Sequence, residues 1–365
     1  MYKVKMYVLF FFLCVNLVGL SAQQDLSKLS WHKVSTGMPA EWYGTEQAAN
    51  IADTVLHYQT AIGGWPKNVG FHKHVNQEEM ARVRKSGIGA TFDNGATLSE
   101  MRFLAKVYTY RKDERYRNAF LKAFNYILEA QYDNGGWPQF YPVRKGRSVS
   151  YSGHVTYNDN AYVNVMNMLK DIFTDAPCFR SLELGDEVRA QAKASFDKGV
   201  DCILKSQIVI DGELTAWCAQ HDSVTLQPAK ARAYELPSIS GAESANIVLL
   251  LMSIPHPSDD VVKAVKSAVK WFDEHKIADM RYERFRDKNG KRDSRLVTEK
   301  GSMVWGRFYD LETQKPYFSD RDGIKKNSLE EIGQERRGGY SWYCNNPGKV
   351  LKAYPKWLEA NGLKD

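Results

Sequence analysis

One compound motif occurs twice, and it limits what the chain can fold into. Gln59 leads Gly63-Gly64-Trp65-Pro66, and Gln131 leads Gly135-Gly136-Trp137-Pro138. Paired glycines admit backbone angles that a side chain forbids, and the proline blocks helix continuation. Each block therefore ends a helix. Each is followed by capping-type residues: Thr91-Phe92-Asp93-Asn94-Gly95-Ala96 after the first, Thr156-Tyr157-Asn158-Asp159-Asn160-Ala161 after the second. Such residues in front of an apolar-periodic run mark a helix start. A helix ends, a loop crosses and a new helix begins, twice over. This is the signature of an internal repeat of helical hairpins. It puts Asp93 and Asp159 at equivalent helix mouths, where two carboxylates can share a cleft.

Apolar periodicity extends the array. Helices are expected over 45–58, 96–110, 113–132, 161–173, 184–208, about 244–252, and 259–275. Residues 67–90 are polar and read as a long loop with one short helix. After about Met280 the periodicity fades. Short alternating pieces, such as 304–311, and a turn at 319–323 read as a few strands and loops. A last helix starts near Pro347. No Pro- or Ser-rich linker divides the chain. The expectation is one mainly α domain over 23–365, helical to about 280, with an irregular, β-containing segment lying across it.

Lys3 and Lys5 precede an apolar run over 7–20, and Ser21-Ala22 offers a small-residue cleavage site. Residues 1–22 thus read as a secretory signal peptide, with an N-terminal membrane anchor as the alternative, for which the apolar run is short. The exported chain would be a monomer, secreted or periplasmic, with no membrane partner. Four cysteines remain, Cys178, Cys202, Cys218 and Cys344. Their spacings fit no metal site, and at most one pair bridges. The net charge of +7 suits an anionic partner. No basic helix, zinc finger or RNA-binding signature accompanies it, which argues against nucleic acid. Aromatic residues at 12% add flat faces, and an acidic polysaccharide fits both features.

Asp93 and Asp159 are the first candidates for chemistry. Carboxylates at helix starts often cap free backbone N–H groups, but Thr91 and Thr156 are available for that. Asn94 and Asn160 follow the two aspartates and add neutral oxygens. Asp and Asn oxygens drawn from two loops suit a hard cation such as Ca²⁺. Three arginines come second: Arg232 in Ala231-Arg232-Ala233-Tyr234-Glu235, Arg307 in Trp305-Gly306-Arg307-Phe308-Tyr309, and Arg321 in Ser319-Asp320-Arg321-Asp322-Gly323. Arginine forks bind carboxylates in bidentate fashion. Aromatic or turn neighbours set these three apart from Arg281, Arg284 and Arg286, which sit in a plain charge run. Trp65, Trp137, Trp305 and Trp342 are either stacking platforms for sugars or packing for the hairpin ends. Lys67, just after Trp65-Pro66, is placed to point into the cleft. These residues leave the reaction open. Paired carboxylates could hydrolyse glycosides by acid–base work. Arginines with a bound cation could instead neutralise a substrate carboxylate and permit proton abstraction beside it. A polysaccharide-binding protein without catalysis is the third possibility.

Seven blocks stand in the order seen in the family 10 polysaccharide lyases, which are pectate lyases. They are Gly63-Gly64-Trp65-Pro66-Lys67-Asn68, Thr91-Phe92-Asp93-Asn94-Gly95-Ala96-Thr97, Asn134-Gly135-Gly136-Trp137-Pro138-Gln139, Tyr157-Asn158-Asp159-Asn160-Ala161, Ala231-Arg232-Ala233-Tyr234-Glu235-Leu236-Pro237, Trp305-Gly306-Arg307-Phe308-Tyr309 and Gln334-Glu335-Arg336-Arg337-Gly338-Gly339-Tyr340. The chain resembles that family over about 40–360. The resemblance implies an incomplete α/α toroid with a smaller irregular or β-containing part across the cleft. It implies calcium-assisted β-elimination on polygalacturonate, which leaves a 4,5-unsaturated product. By the same resemblance, Asp93 and Asp159, with Asn160, are the calcium ligands. Arg232 and Arg307 are, by that resemblance, the arginines that hold substrate carboxylates, and the residue reading adds Lys67, Asn94, Trp65 and Trp137 as substrate-facing candidates. The resemblance gives Arg321 as the Brønsted base, with Arg232, also in a matching block, as the alternative base. The chain departs from the family pattern at Asn160, a position that is often acidic or Gly.

Overall fold

The computed structural model describes residues 25–73, 77–86 and 89–365. The expected signal peptide lies outside them. Among the described residues no helix is long and apolar enough to cross a membrane.

The α-helices run α1 (Trp31–Thr36), α2 (Glu46–Tyr58), α3 (Gln77–Ser86), α4 (Leu98–Arg111), α5 (Glu114–Glu129), α6 (Ala161–Phe173), α7 (Asp186–Ser206), α8 (Gly241–Met252), α9 (Asp259–Glu274), α10 (Gln334–Gly339) and α11 (Asn346–Ala360). Side-chain caps start several of them. Thr45, Asp113 and Ser258 accept backbone N–H bonds at the first turns of α2, α5 and α9, each supplying a partner that the helix itself cannot. On α5 the buried stripe is Tyr116, Ala119, Phe120, Ala123, Tyr126 and Ile127, the spacing of one helical face. Three hairpins follow: α4 with α5, α6 with α7, α8 with α9. Their first members touch in turn, giving an open row α2, α4, α6, α8, α11.

The repeat is fourfold in the structure, where the sequence displayed it twice. At each helix end an indole N–H turns back onto a carbonyl of the helix just finished. Trp65 donates to Val55 O (2.8 Å), Trp137 to Ile127 O (2.9 Å), Trp217 to Ile203 O (2.8 Å) and Trp305 to Phe272 O (2.8 Å). A glutamine locks three of the four ends to the next outer helix. Gln59 donates to Gly63 O and Ala119 O, Gln131 to Gly135 O and Ser195 O, and Gln207 to Thr215 O and Ala264 O. The third copy is disguised by a small hairpin, Val209–Ile210 with Glu213–Leu214. The fourth is disguised by a long one. The glycines of the two visible copies have a packing reason. A Cβ on Gly63 would lie 2.4 Å from Lys122 O, and one on Gly135 would lie 2.0 Å from Lys198 O.

That long hairpin was not foreseen. Strands Ile277–Arg286 and Arg292–Gly306 pair antiparallel around a turn closed by Asn289-Gly290, with Gly290 at φ 76°. Asn-Gly is a strong hairpin signal. The charged stretch hid the strands because neither face is fully buried. At the base of the hairpin, Trp305 and Gly306 pair with Tyr343–Cys344, and Phe308–Tyr309 pairs with Ile239–Ser240 at the start of α8. A second, aromatic core of Tyr234, Phe308, Tyr317, Phe318, Tyr340 and Trp342 fills this side. It carries the three arginine-bearing segments around Arg232, Arg307 and Arg321. All four described cysteines are free thiols.

Candidate active site

Two short turns form the floor of the site. They are the 3-10 segments Asp93–Gly95 and Asn158–Asn160, which pack against each other. Neither aspartate caps a helix; Asp159 stands just before the N-cap residue of α6, while Asp93 lies several residues ahead of its helix. Helix α4 begins only at Leu98, and no side-chain capping bond is made at either turn. The register also differs from the expected one. Thr91 N–H donates to Trp65 O and Thr156 N–H to Trp137 O, so Thr91 matches Thr156, Asp93 matches Asn158, and Asn94 matches Asp159. The backbone agrees: Asn94 (φ 53°, ψ 27°) and Asp159 (φ 51°, ψ 27°) share the left-handed conformation. The two carboxylates stand one position apart in the repeat, and they converge because the turns face each other.

Asp93 is buried, at 3% exposure. Its Oδ2 takes the Lys67 ammonium, while Oδ1 is buried without a hydrogen-bond partner among the described residues. Asn94 donates to Asn68 Oδ1 (3.0 Å). Asp159 Oδ2 accepts from Asn158 Nδ2 (2.8 Å). Burial raises the Asp159 carboxyl above its ordinary range; Arg307 opposes this, and the Glu243 and Asp93 carboxylates add to it. These acids crowd one another, which favours a cation. Asn160 Oδ1 accepts from Asn246 Nδ2 (2.6 Å). Among the described residues no three His, Cys, Asp or Glu side chains converge as metal ligands, so amide oxygens would have to complete a cation site.

Across this floor stands a ladder of arginines and tyrosines. Arg307 donates to Asn158 Oδ1 (2.8 Å) and Glu243 Oε1 (3.1 Å), and lies 4.5 Å from the Tyr340 ring centre. Arg232 lies over Tyr234 and Tyr340 (5.3 and 5.8 Å). Its Nε and Nη2 grip Glu235 (2.7 and 2.5 Å), leaving Nη1 unused by that carboxylate. Tyr340 OH donates to the same Glu235 (2.7 Å). Burial alone would pull both arginines toward deprotonation. Their glutamates prevail and hold them above the ordinary value. Such fixed cations are ready for a second carboxylate, that of a substrate.

The positions expected from sequence divide clearly. Asp93, Asp159, Asn160, Asn94, Lys67, Arg307 and Arg232 come together. Arg321 stands apart: its side chain is 66% exposed, and it reaches the ladder only through Glu335, which also binds Arg336. Trp65 and Trp137 are 0% and 1% exposed and serve as the latches described above, so neither offers a face to a sugar. The same holds for Trp305 and Trp342. Sequence reasoning missed Glu243, Glu235 and Tyr340. Glu235 and Tyr340 stand inside quoted motifs. Glu243, on the first turn of α8, gave no signal of its own.

A sequence profile of the pectic acid lyase family matches residues 59–351. Among curated proteins nothing matches. Among solved structures, the chain is similar to a family 10 polysaccharide lyase from Cellvibrio cellulosa, with a TM-score of 0.75 and 36% identity over 89% of this chain and 94% of that one. An aspartate-to-alanine mutant of a family 10 polysaccharide lyase from that organism, in complex with trigalacturonic acid, matches with the same score and identity over 89% of this chain and 95% of the other. The open row of hairpins is accordingly an incomplete α/α toroid. With the profile spanning all four tryptophan latches and all three arginine segments, the chain belongs to the pectic acid lyase family and is an enzyme of the pectate lyase type.

Proposed function

We propose that this enzyme is secreted and cleaves α-1,4-polygalacturonate by calcium-assisted β-elimination with an arginine base. The observation that carries the reading is the meeting of the cation-favouring turns with Arg307 and Arg232 in one cleft. The C5 proton of a uronate is only weakly acidic, so its removal needs the neighbouring carboxylate neutralised. Arg307 is fixed by Glu243 and Asn158 and is suited to grip that carboxylate. The oxygen donors fit Ca²⁺, a hard ion that takes carboxylate and amide oxygens. Asp93 through its unpartnered Oδ1, Asp159 and the amide oxygen of Asn160 would hold it. When bound, the ion would stabilise negative charge developing next to the uronate carboxylate.

The base role moves from Arg321 to Arg232. A guanidinium gives up a proton only when desolvated and crowded by other cations. Arg321 shares Glu335 with Arg336 but is two-thirds exposed and so is not desolvated. Arg232 is 42% exposed, shares the Tyr340 ring with Arg307 and keeps Nη1 clear of Glu235. Glu235 works against deprotonation by holding the proton, so the neutral guanidine is reached only at high pH and turnover should climb into the alkaline range. Nη1 of the neutral guanidine takes the C5 proton and becomes guanidinium, the C5–H electron pair becomes the 4,5-double bond, and the C4–O pair leaves on the oxygen of the neighbouring sugar, which solvent protonates.

The test is ultraviolet absorbance of the unsaturated uronate on polygalacturonate at alkaline pH, with calcium and then with a chelator. A rise abolished by the chelator supports elimination and the ion together. New reducing ends without the chromophore would sink the proposal and move the chemistry to Asp93 and Asp159 as acid and base. Secretion is tested separately, by looking for loss of residues 1–22 from the protein recovered outside the cytoplasm.

A further inference from the structure

The basic loop that follows the second Gly-Gly-Trp-Pro block has no part in the site as described so far. It is fixed to the cleft. Gln139 O accepts from both Phe92 N–H (3.2 Å) and Thr91 Oγ1 (2.6 Å), and Phe140 bridges to Thr91. Phe140 therefore sits beside the Asp93 turn. Two cations meet on its ring: Lys67 Nζ at 5.4 Å and the Arg144 guanidinium at 4.9 Å from the centroid. The backbone of Arg144 is pinned. Its N–H donates to the buried Ser152 Oγ, which donates in turn to Arg144 O, both at 3.2 Å. The side chain is exposed, and among the described residues it has no ion-pair partner. Every arginine of the ladder, by contrast, is tied to a glutamate.

We propose that Arg144, with Lys67, forms a further subsite for a uronate carboxylate, on the far side of Asp93 from Arg307 and Arg232. This rests on the uronate-polymer reading above. Charge along the cleft then alternates: Arg144 and Lys67, the acids Asp93 and Asp159, then Arg307 and Arg232. A polymer with one carboxylate per sugar meets a cationic pair at the reacting unit and another at a neighbouring unit. Phe140 spaces the second pair and lowers the hydration of both cations. Arg144 is a positioning residue, since it holds a sugar other than the one that loses its proton.

The experiment is Arg144→Ala, Arg144→Lys and, as a control on the distant hairpin, Arg286→Ala. Each is measured for lyase kinetics on polygalacturonate and for retardation in gels containing the polymer. Arg144→Ala should raise KM on the order of 5-fold, as losing one exposed charge contact does, with kcat unchanged. Arg144→Lys should recover part of that, and Arg286→Ala should match the parent. The defect should shrink on partly methyl-esterified pectin, which keeps some free uronates to react but offers fewer to the second subsite, and shrink with added salt. An equal defect on esterified and free polymer, or a fall in kcat at constant KM, would overturn the subsite. The gel assay needs no turnover. A parent enzyme that is retarded but makes no chromophore refutes the elimination reading, while loss of retardation in Arg144→Ala would still support the subsite.

Discussion

Arg307 and Glu243 offer the sharpest test of how the site is held. Their side chains are 12% and 5% exposed. In Arg307→Ala, Glu243 keeps only the Ser240 hydroxyl, and a buried carboxylate stripped of its cation is costly. Breaking a buried pair from one side typically costs about 3 kcal/mol or more. Loss of the Tyr340 contact adds about 0.5–1 kcal/mol, so the single variant should be destabilised by about 4 kcal/mol. In the double variant Arg307→Ala with Glu243→Gln the stranded charge is gone, and about 2 kcal/mol should return. Activity should not return, because the fork for the substrate carboxylate is still missing; kcat/KM should stay about 100-fold down in both. Urea unfolding followed by tryptophan fluorescence gives the stabilities, and product absorbance gives the rates. A single variant within about 1 kcal/mol of the parent, or a double variant less stable than the single, would refute the argument that Glu243 is a buried counterion.

Other outcomes follow from the same geometry. Trp137→Ala should destabilise by about 3–5 kcal/mol and leave KM unchanged, since Trp137 latches a hairpin and touches no substrate; urea midpoints beside kinetics check this. Arg232→Lys should nearly abolish turnover, while Arg321→Lys should leave at least a tenth of it. Asp93→Asn should weaken calcium binding by at least 10-fold in isothermal titration. Stability against pH has a hidden structure. Glu100 is fully buried, and desolvation raises its carboxyl to about 7, with the Trp31 bond opposing. The native state therefore holds a proton that the unfolded chain has lost, and stability falls by about 3 kcal/mol as pH rises from about 4.5 to 7. His221 is also fully buried, and desolvation lowers it to about 4. Here the unfolded chain takes the proton first, so stability falls by a similar amount as pH drops from about 6.5 to 4. The slopes oppose each other over nearly the same window. Glu100→Gln should therefore expose a loss of about 3 kcal/mol on acidification that the parent conceals, measurable by urea unfolding at several pH values.

The helices were legible in the chain because their information is local. Apolar spacing, caps such as Thr45 and Asp113, and the Gly-Gly-Trp-Pro stops lie within one or two turns of the structure they specify. Expected bounds differ from observed ones mostly at the ends, where a last turn frays into other geometry. The third and fourth latches were illegible by spacing alone, since inserted hairpins separate Gln207 from Trp217 and α9 from Trp305. The long hairpin carried its Asn289-Gly290 signal in plain view, but its half-exposed strands lack the clean alternation of a sheet with one wet and one buried face.

By itself, the amino-acid sequence determined the hairpin repeat, the mainly α class and the residue types of the cleft. Seven ordered motifs also carried the family resemblance, because motifs are read along the chain. Only the tertiary structure decided which members of those motifs meet. It buried all four candidate tryptophans, shifted the aspartates one position out of register, tied Arg307 to Glu243 and Arg232 to Glu235, and left Arg321 in solvent. The physical reason is that burial and ion pairing belong to contacts between segments far apart in the chain. Asn158 meets Arg307, and Glu235 meets Tyr340, only after the aromatic core has folded against the helical row. Until then an arginine in a good motif and one in a plain charge run carry the same charge and the same five donors.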